Sequence, residues 1–236
     1  DGMDEGRPMS EPYYSDDRVT LYHGDCREIT EWLAADVLVT DPPYGIDWSR
    51  PLLPSTKGKQ QANLGIVNDG DTTVRDDALA AWGSDRPALV FGSLKAAYPG
   101  GWRRMLVFEK PLNAGLFGHR VPWLANWEPI FMLGTWPDQT PARSAVVSTR
   151  RLAASGYSGY VTQSGHPHAK PVDVLESLIE ACPPGVIADP FAGSGSTLVA
   201  ARSMGRGAVG VEVDEAYCEL IAKRLDQGVL DFGGIA

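Results

Sequence analysis

The sequence predicts an α/β protein with a largely parallel sheet covered by helices on both faces. Three observations carry that expectation. Short apolar, β-branched runs recur at residues 19–22, 37–39, 88–91, 105–108, 129–133, 186–188 and 208–213. Most are continuous rather than alternating, as befits strands buried on both faces. Helical stretches lie between several of them, the order expected when helices form the crossovers of a parallel sheet.

Residues 1–18 open the chain as a polar, acidic stretch that reads as a flexible leader, with Met9 a candidate native start and no signal or transit pattern. The strand at 36–40 runs straight into Asp41-Pro42-Pro43-Tyr44-Gly45. Residues 45–71 and 135–167 show little periodicity, and loops of that length are usually functional or disordered. Val172, Leu175, Leu178, Ile179 and Cys182 share one helical face, and Tyr217, Leu220, Ile221 and Leu225 share another.

A chain of 236 residues can bury one sizeable core, so a single domain is expected. Hydrophobic residues at 43% and charged residues at 22% are ordinary for a globular protein, and no apolar run approaches the roughly 20 residues a membrane span needs. Cys26, Cys182 and Cys218 are scattered and odd in number, which disfavours both a disulfide framework and a zinc site and makes a reducing, cytoplasmic compartment the default. The net charge of −9 argues against a protein that simply coats nucleic acid. Its distribution is uneven: residues 95–170 carry 9 basic and 3 acidic groups, whereas both flanks are acidic. One basic face toward a polyanion would produce this pattern, and so would chance on a solvated surface.

The prolines of Asp41-Pro42-Pro43-Tyr44 stop the strand and stiffen the turn. Open α/β sheets place ligands at such strand ends. The Asp41 carboxylate and the Pro42 carbonyl form a rigid pair of acceptors, with Tyr44 following as a flat platform. Two acceptors can hold both hydrogens of an aromatic amino group and aim the nitrogen lone pair at an electrophile. A plain strand-ending turn with a surface tyrosine accounts for the tetrapeptide equally well.

The second constellation is Asp189-Pro190-Phe191-Ala192-Gly193-Ser194-Gly195-Ser196-Thr197, which reads as a strand end, a glycine turn and a helix start. The glycines permit a sharp turn and close approach of a ligand, and the helix N-terminus offers unpaired N–H groups. Glu212, at the end of the next strand and about 20 residues on, suits ribose hydroxyls, so a nucleoside cofactor is expected. The spacing of this turn is not G-x-G-x-x-G with a pyrophosphate cradle, and there is no GK[ST], which disfavours NAD and ATP.

These residues resemble the amino-group DNA methyltransferases that use S-adenosylmethionine. Asp41-Pro42-Pro43-Tyr44 resembles their catalytic motif, and the segment from Asp189 to Thr197 resembles their cofactor motif. The catalytic motif comes first, as in the β class. Leu21-Tyr22-His23-Gly24-Asp25-Cys26 resembles the strand whose aspartate contacts the cofactor adenine. His166-Pro167-His168-Ala169-Lys170-Pro171 resembles the H-x-x-x-K-P segment near the methionine end. Phe108-Glu109-Lys110-Pro111 and Trp127-Glu128-Pro129-Ile130 resemble later core strands, so the likeness spans residues 19–225.

The resemblance implies a Rossmann-like fold with a mostly parallel, seven-stranded sheet and one antiparallel edge strand. It implies Asp41, Pro42, Pro43 and Tyr44 as the catalytic group. It implies Asp25, Cys26, Asp41, His166, Lys170, Pro171, Asp189, Phe191, Ala192, Gly193, Ser194, Gly195, Ser196, Thr197, Glu212 and Val213 around the cofactor. Double-stranded DNA is the implied substrate, with the base flipped out and its amine attacking directly. Residues 19–134 would form a catalytic half, 135–165 a small target-recognition region and 166–230 a cofactor half.

Aspartate at the first catalytic position is more typical of adenine-N6 than cytosine-N4 enzymes. Relatives acting on RNA or protein glutamine more often carry asparagine there. The spare sequence for target recognition is short, which leaves room for a homodimer, a short site or loose specificity. A cognate restriction enzyme and a nucleoid location in a prokaryotic or phage-infected cell also fit. A non-catalytic DNA-binding subunit is the competing class, and the intact Asp41, Gly193, Gly195 and Glu212 speak against it. Among smaller signals, His119-Arg120 and Arg150-Arg151 could meet phosphates, Lys57, Lys59, Gln60 and Gln61 could close over a base, and Trp82, Trp102, Trp123, Trp127 and Trp136 read as core or interface.

Overall fold

The computed structural model describes residues 10–47, 67, 69–110, 123, 126–138, 142–149 and 169–230. The strands in chain order are β1 (Tyr14–Ser15), β2 (Val19–His23), β3 (Val37–Thr40), β4 (Ala88–Phe91), β5 (Arg104–Glu109), β6 (Trp127–Leu133), β7 (Val146–Ser148), β8 (Ile187–Asp189) and β9 (Ala208–Glu212). The helices are α1 (Thr73–Trp82), α2 (Val172–Glu180), α3 (Ser196–Ser203) and α4 (Glu215–Leu230), with a short 3-10 turn at Glu31–Ala34. Among the described residues, these nine strands form one sheet in the order β1-β2-β9-β8-β3-β4-β6-β5-β7.

The continuous apolar runs divide between two cores because strand side chains alternate. Val37, Val39, Leu89, Phe91 and Ile187 join Leu175, Leu178 and Ile179 of α2, Leu198 and Ala201 of α3, and Cys218, Ile221 and Leu225 of α4. Their immediate neighbours Leu38, Ala88, Val90 and Ala188 point the other way, to Val74, Ala78 and Trp82 of α1 and to Trp32. On that second face Trp32 and Trp82 stack with centroids 5.9 Å apart, and the Arg86 guanidinium lies 3.5 Å from the Trp82 ring centroid.

The sheet departs from the expected seven strands with one antiparallel edge. Antiparallel β6 sits inside the sheet, between β4 and β5. Two further strands extend the edges, β1 antiparallel to β2 and β7 parallel to β5. At two and three residues, β1 and β7 are too short to show a period, and backbone pairing alone defines them. On α4 the buried stripe is Cys218, Ile221 and Leu225, while Tyr217 and Leu220 are half-buried at its margin. Trp82 is core, whereas Trp102 and Trp123 are exposed.

Five neighbouring strands, β2, β9, β8, β3 and β4, run parallel, so their C-terminal ends gather at one edge of the sheet. Gly24, Glu212, Asp189, Asp41 and Ser93 stand at or just past those ends. Such an edge is where open α/β sheets bind ligands.

Helix α3 begins inside this edge and is seated by Leu198, which is fully buried and lies against Gly210 of β9, where an added Cβ would come within 2.7 Å of the leucine. Leu198→Ala is expected to cost about 2–5 kcal/mol through lost burial and a residual cavity. Urea unfolding should show a lowered midpoint with unchanged slope.

Candidate active site

The glycine turn is held from three sides. Asp189, at the end of β8, is buried and accepts hydrogen bonds from Thr40 Oγ1 of β3 at 2.7 Å and from the Phe191 N–H at 3.2 Å. The Thr197 side chain is also hydrogen-bonded to it. Burial pushes the Asp189 carboxyl up to about 6, against the opposing pull of these donors. Farther along, the Gly193 N–H donates to Glu212 Oε2 at 2.6 Å, and the Asp214 N–H donates to the other Glu212 oxygen at 2.9 Å. Gly195 adopts φ +75° beneath α4, and a Cβ there would come within 2.8 Å of Ile221. Both the backbone conformation and the contact therefore call for glycine.

The Asp41 turn is held as firmly. Gly45, at φ +72°, donates its N–H to Asp69 Oδ1 at 2.8 Å, and the Asp47 N–H donates to the Asp69 carbonyl at 2.7 Å. Tyr44 donates its hydroxyl to Asp41 Oδ1 at 2.6 Å. Its ring packs against the main core, and burial followed by the Asp41 charge raises the phenol well above its usual range. Lys170 Nζ donates to Asp41 Oδ2 at 2.7 Å and to the Tyr44 oxygen at 3.2 Å.

Behind Lys170 stands Glu128 of β6, with Oε2 at 3.3 Å from Nζ, an ion pair whose geometry falls short of a hydrogen bond. Lys110 pairs with Glu128 through Oε1. Burial raises the Glu128 carboxyl, but the charges of Lys170 and Lys110 outweigh it and hold the group below the usual range. The result is an alternating line of charge: Lys110, Glu128, Lys170, Asp41.

One cavity of about 310 Å³ joins the two motifs. Asp25, Cys26, Phe191, Glu212, Val213 and Tyr217 line it, as do Asp41, Pro42, Pro43, Tyr44 and Lys170, and the turn residues Asp189, Ala192, Gly193, Ser194, Ser196 and Thr197. Pro171 and Gly195 do not line it: they cap the starts of α2 and α3. His166 lies outside the described residues, as do His119, Arg120, Arg150, Arg151, Lys57, Lys59, Gln60 and Gln61. Both carboxylate oxygens of Asp25 accept from the Arg27 guanidinium, which holds that group below its usual range. The Cys26 thiol is pushed up to about 12 by burial and stays protonated. Glu128, Lys110 and Asp69 also line the cavity, and sequence reasoning gave them no role there. The signal for the first two was present, since both fall in segments that resemble family core strands. No described helix is long and apolar enough to cross a membrane.

A family model described as DNA methylase (N6_N4_Mtase) matches residues 116–224. Type II methyltransferase M.ScaI of Streptomyces caespitosus is 27% identical over an alignment covering 93% of this chain and 85% of that protein. The M1.HpyAVI–SAM complex superposes with a TM-score of 0.62 at 17% identity, covering 88% of this chain and 99% of that one. PvuII DNA methyltransferase (cytosine-N4-specific) superposes with a TM-score of 0.60 at 15% identity, covering 94% of this chain and 93% of that one.

The fold is that of the S-adenosylmethionine-dependent methyltransferases. Within that class, the chain is similar to the amino-group DNA methyltransferases, through the family model over residues 116–224 and through M.ScaI. S-adenosylmethionine is the cofactor of that family, and the cavity suits such a group: carboxylates at Asp25 and Glu212, a glycine turn, and the Asp41–Lys170 pair along a single lining.

A raised carboxyl makes folding weaker as it ionises. The Asp189 contribution is fully favourable below the unfolded value near 4 and is lost as pH rises through about 6. Asp189→Asn removes this dependence, so its stability relative to the parent should rise by up to about 3 kcal/mol between pH 4 and 7. Denaturant midpoints across that range would record it. A gap that stays constant with pH would contradict the assignment.

Proposed function

We propose that this chain methylates the N6 amino group of adenine in double-stranded DNA at a short recognition sequence, using S-adenosylmethionine. The observation that carries the reading is the Asp41 carboxylate, fixed at a strand end and opening into the same cavity as the glycine turn. Asp25, Cys26, Phe191, Glu212 and Val213 would hold the adenosine portion. The turn from Ala192 to Thr197 would follow it, with His166 and Lys170 toward the methionine end. When bound, the cofactor supplies an electrophilic methyl group.

Asp41 and the Pro42 carbonyl accept the two amino hydrogens. This frees the nitrogen lone pair for attack, and the carboxylate disperses the positive charge that develops there. The target base is flipped out of the duplex, with the Tyr44 ring against it. Aspartate at position 41 favours adenine. Cytosine-N4 is the second reading, supported by the likeness to a cytosine-N4-specific fold neighbour. Residues 135–165 would contribute to target recognition, and the basic excess of residues 95–170 would meet the phosphate backbone. A homodimer, a partner restriction enzyme and a cytoplasmic, nucleoid-associated location accord with this role.

Modification-sensitive sequencing of genomic DNA from a methylation-free host tests the proposal. Expression of the chain should leave N6-methyladenine at a recurring motif, and Asp41→Ala should abolish it while cofactor binding persists. N4-methylcytosine would move the assignment to the second reading, and no modification above the control would overturn both. Glu212→Ala should weaken cofactor affinity about ten- to a hundredfold, since ribose loses a charged acceptor and the Gly193 N–H loses its partner. Calorimetry reads this without DNA, and unchanged affinity would remove Glu212 from the site.

A further inference from the structure

Asp41 faces a conflict in its own site. Its Oδ1 is taken by the Tyr44 hydroxyl at 2.6 Å and its Oδ2 by the Lys170 ammonium at 2.7 Å. Each oxygen keeps a second lone pair, but an incoming amine must share the carboxylate with both donors. An ammonium held there also places a positive charge where the amino nitrogen becomes positive during transfer, and like charges so close repel. Lys170 is only 6% exposed, so it has no ready route to solvent.

A second seat for the ammonium is already beside it. Glu128 Oε2 stands 3.3 Å from Lys170 Nζ, against 2.7 Å for Asp41 Oδ2, so the second seat is a short shift away. Lys110 pairs with the other oxygen of that carboxylate, Oε1, and leaves Oε2 to Lys170. The Phe91 and Tyr44 rings lie 5.1 and 5.6 Å from the ammonium and give it a cation–π lining at this position.

We propose that Glu128 is a positioning residue that draws the Lys170 ammonium off Asp41 when the target base enters, leaving the carboxylate to accept the amino hydrogens. The proposal rests on the reading of the chain as an amino-group DNA methyltransferase. No proton changes hands in this step: the ammonium exchanges one carboxylate partner for another. Lys170 guards the acceptor in the empty site and releases it in the filled one.

The test is the single-turnover rate of methyl transfer to DNA at saturating cofactor, with cofactor affinity measured separately by calorimetry on the DNA-free protein. Methylation by the parent chain establishes the underlying function, and its absence would overturn that function rather than the role of Glu128. Given an active parent, Glu128→Gln should slow transfer at least tenfold and leave cofactor affinity within about twofold. Glu128→Asp, which keeps the charge, should recover part of the rate. In a Lys170→Met background, adding Glu128→Gln should cost nothing further, because the ammonium it steers is gone; this pair removes one charge of each sign and serves if Glu128→Gln alone fails to fold. An unchanged rate in Glu128→Gln overturns the proposal, as does an equal loss of cofactor affinity or a further loss of rate in the double variant.

Discussion

A buried carboxylate bridging two strand ends sets the geometry of the site. Asp189 leaves β8 and accepts the hydroxyl of Thr40, the last residue of β3 before Asp41. It also accepts the N–H of Phe191, two residues into the glycine turn. One side chain thus fixes the distance between the Asp41 turn and the turn that begins α3. Burying it is unfavourable for the charged form, as its raised protonation range records. The donors around it offset that penalty and make the bridge directional, which an apolar contact could not.

The same economy recurs at Glu212. Read from sequence, it was a ligand for ribose. In the structure it is 7% exposed and holds the Gly193 and Asp214 N–H groups. The two readings are compatible, since each carboxylate oxygen has a second lone pair to offer. Gly193, held by Glu212, and Asp189, held through Thr40, make the turn a shared junction of β3, β8 and β9. Substitutions in this loop therefore act on ligand and scaffold together.

Much of this was legible in the sequence, for reasons of periodicity and punctuation. Residues 37–39 and 88–91 announced strands because both faces are buried, and the structure sends their alternate side chains to opposite cores. The two motifs were legible because prolines and glycines at fixed spacing mark strand ends. Helix α1 was not: its buried Val74, Ala78 and Trp82 recur every fourth residue, but Arg75, Asp76, Asp77, Ala80 and Ala81 between them dilute the stripe. Arg75 itself is buried, held by the Ala97 carbonyl and Asp76, a contact made across the fold. Lys110 and Glu128 could be placed on strands, yet nothing local tells that antiparallel β6 enters the sheet beside β4 and brings Glu128 to the cavity. That pairing is a matter of tertiary topology.

The contrast between the two sides of Asp41 bears on how such a site can work. On the backbone side everything is stiff: two prolines, a glycine at positive φ, and Asp69 receiving two main-chain N–H groups. A near-attack geometry demands this, because a small misplacement of the acceptor would forfeit most of the gain from orientation. On the side-chain side the partner is a lysine, a flexible stem ending in a compact charge with three rotatable donors. An arginine clamped in two-pronged fashion to Asp41 would stabilise the empty site and obstruct the filled one. A rigid acceptor paired with a displaceable counter-ion meets both needs, and the line Lys110, Glu128, Lys170, Asp41 keeps charge balanced wherever the ammonium rests.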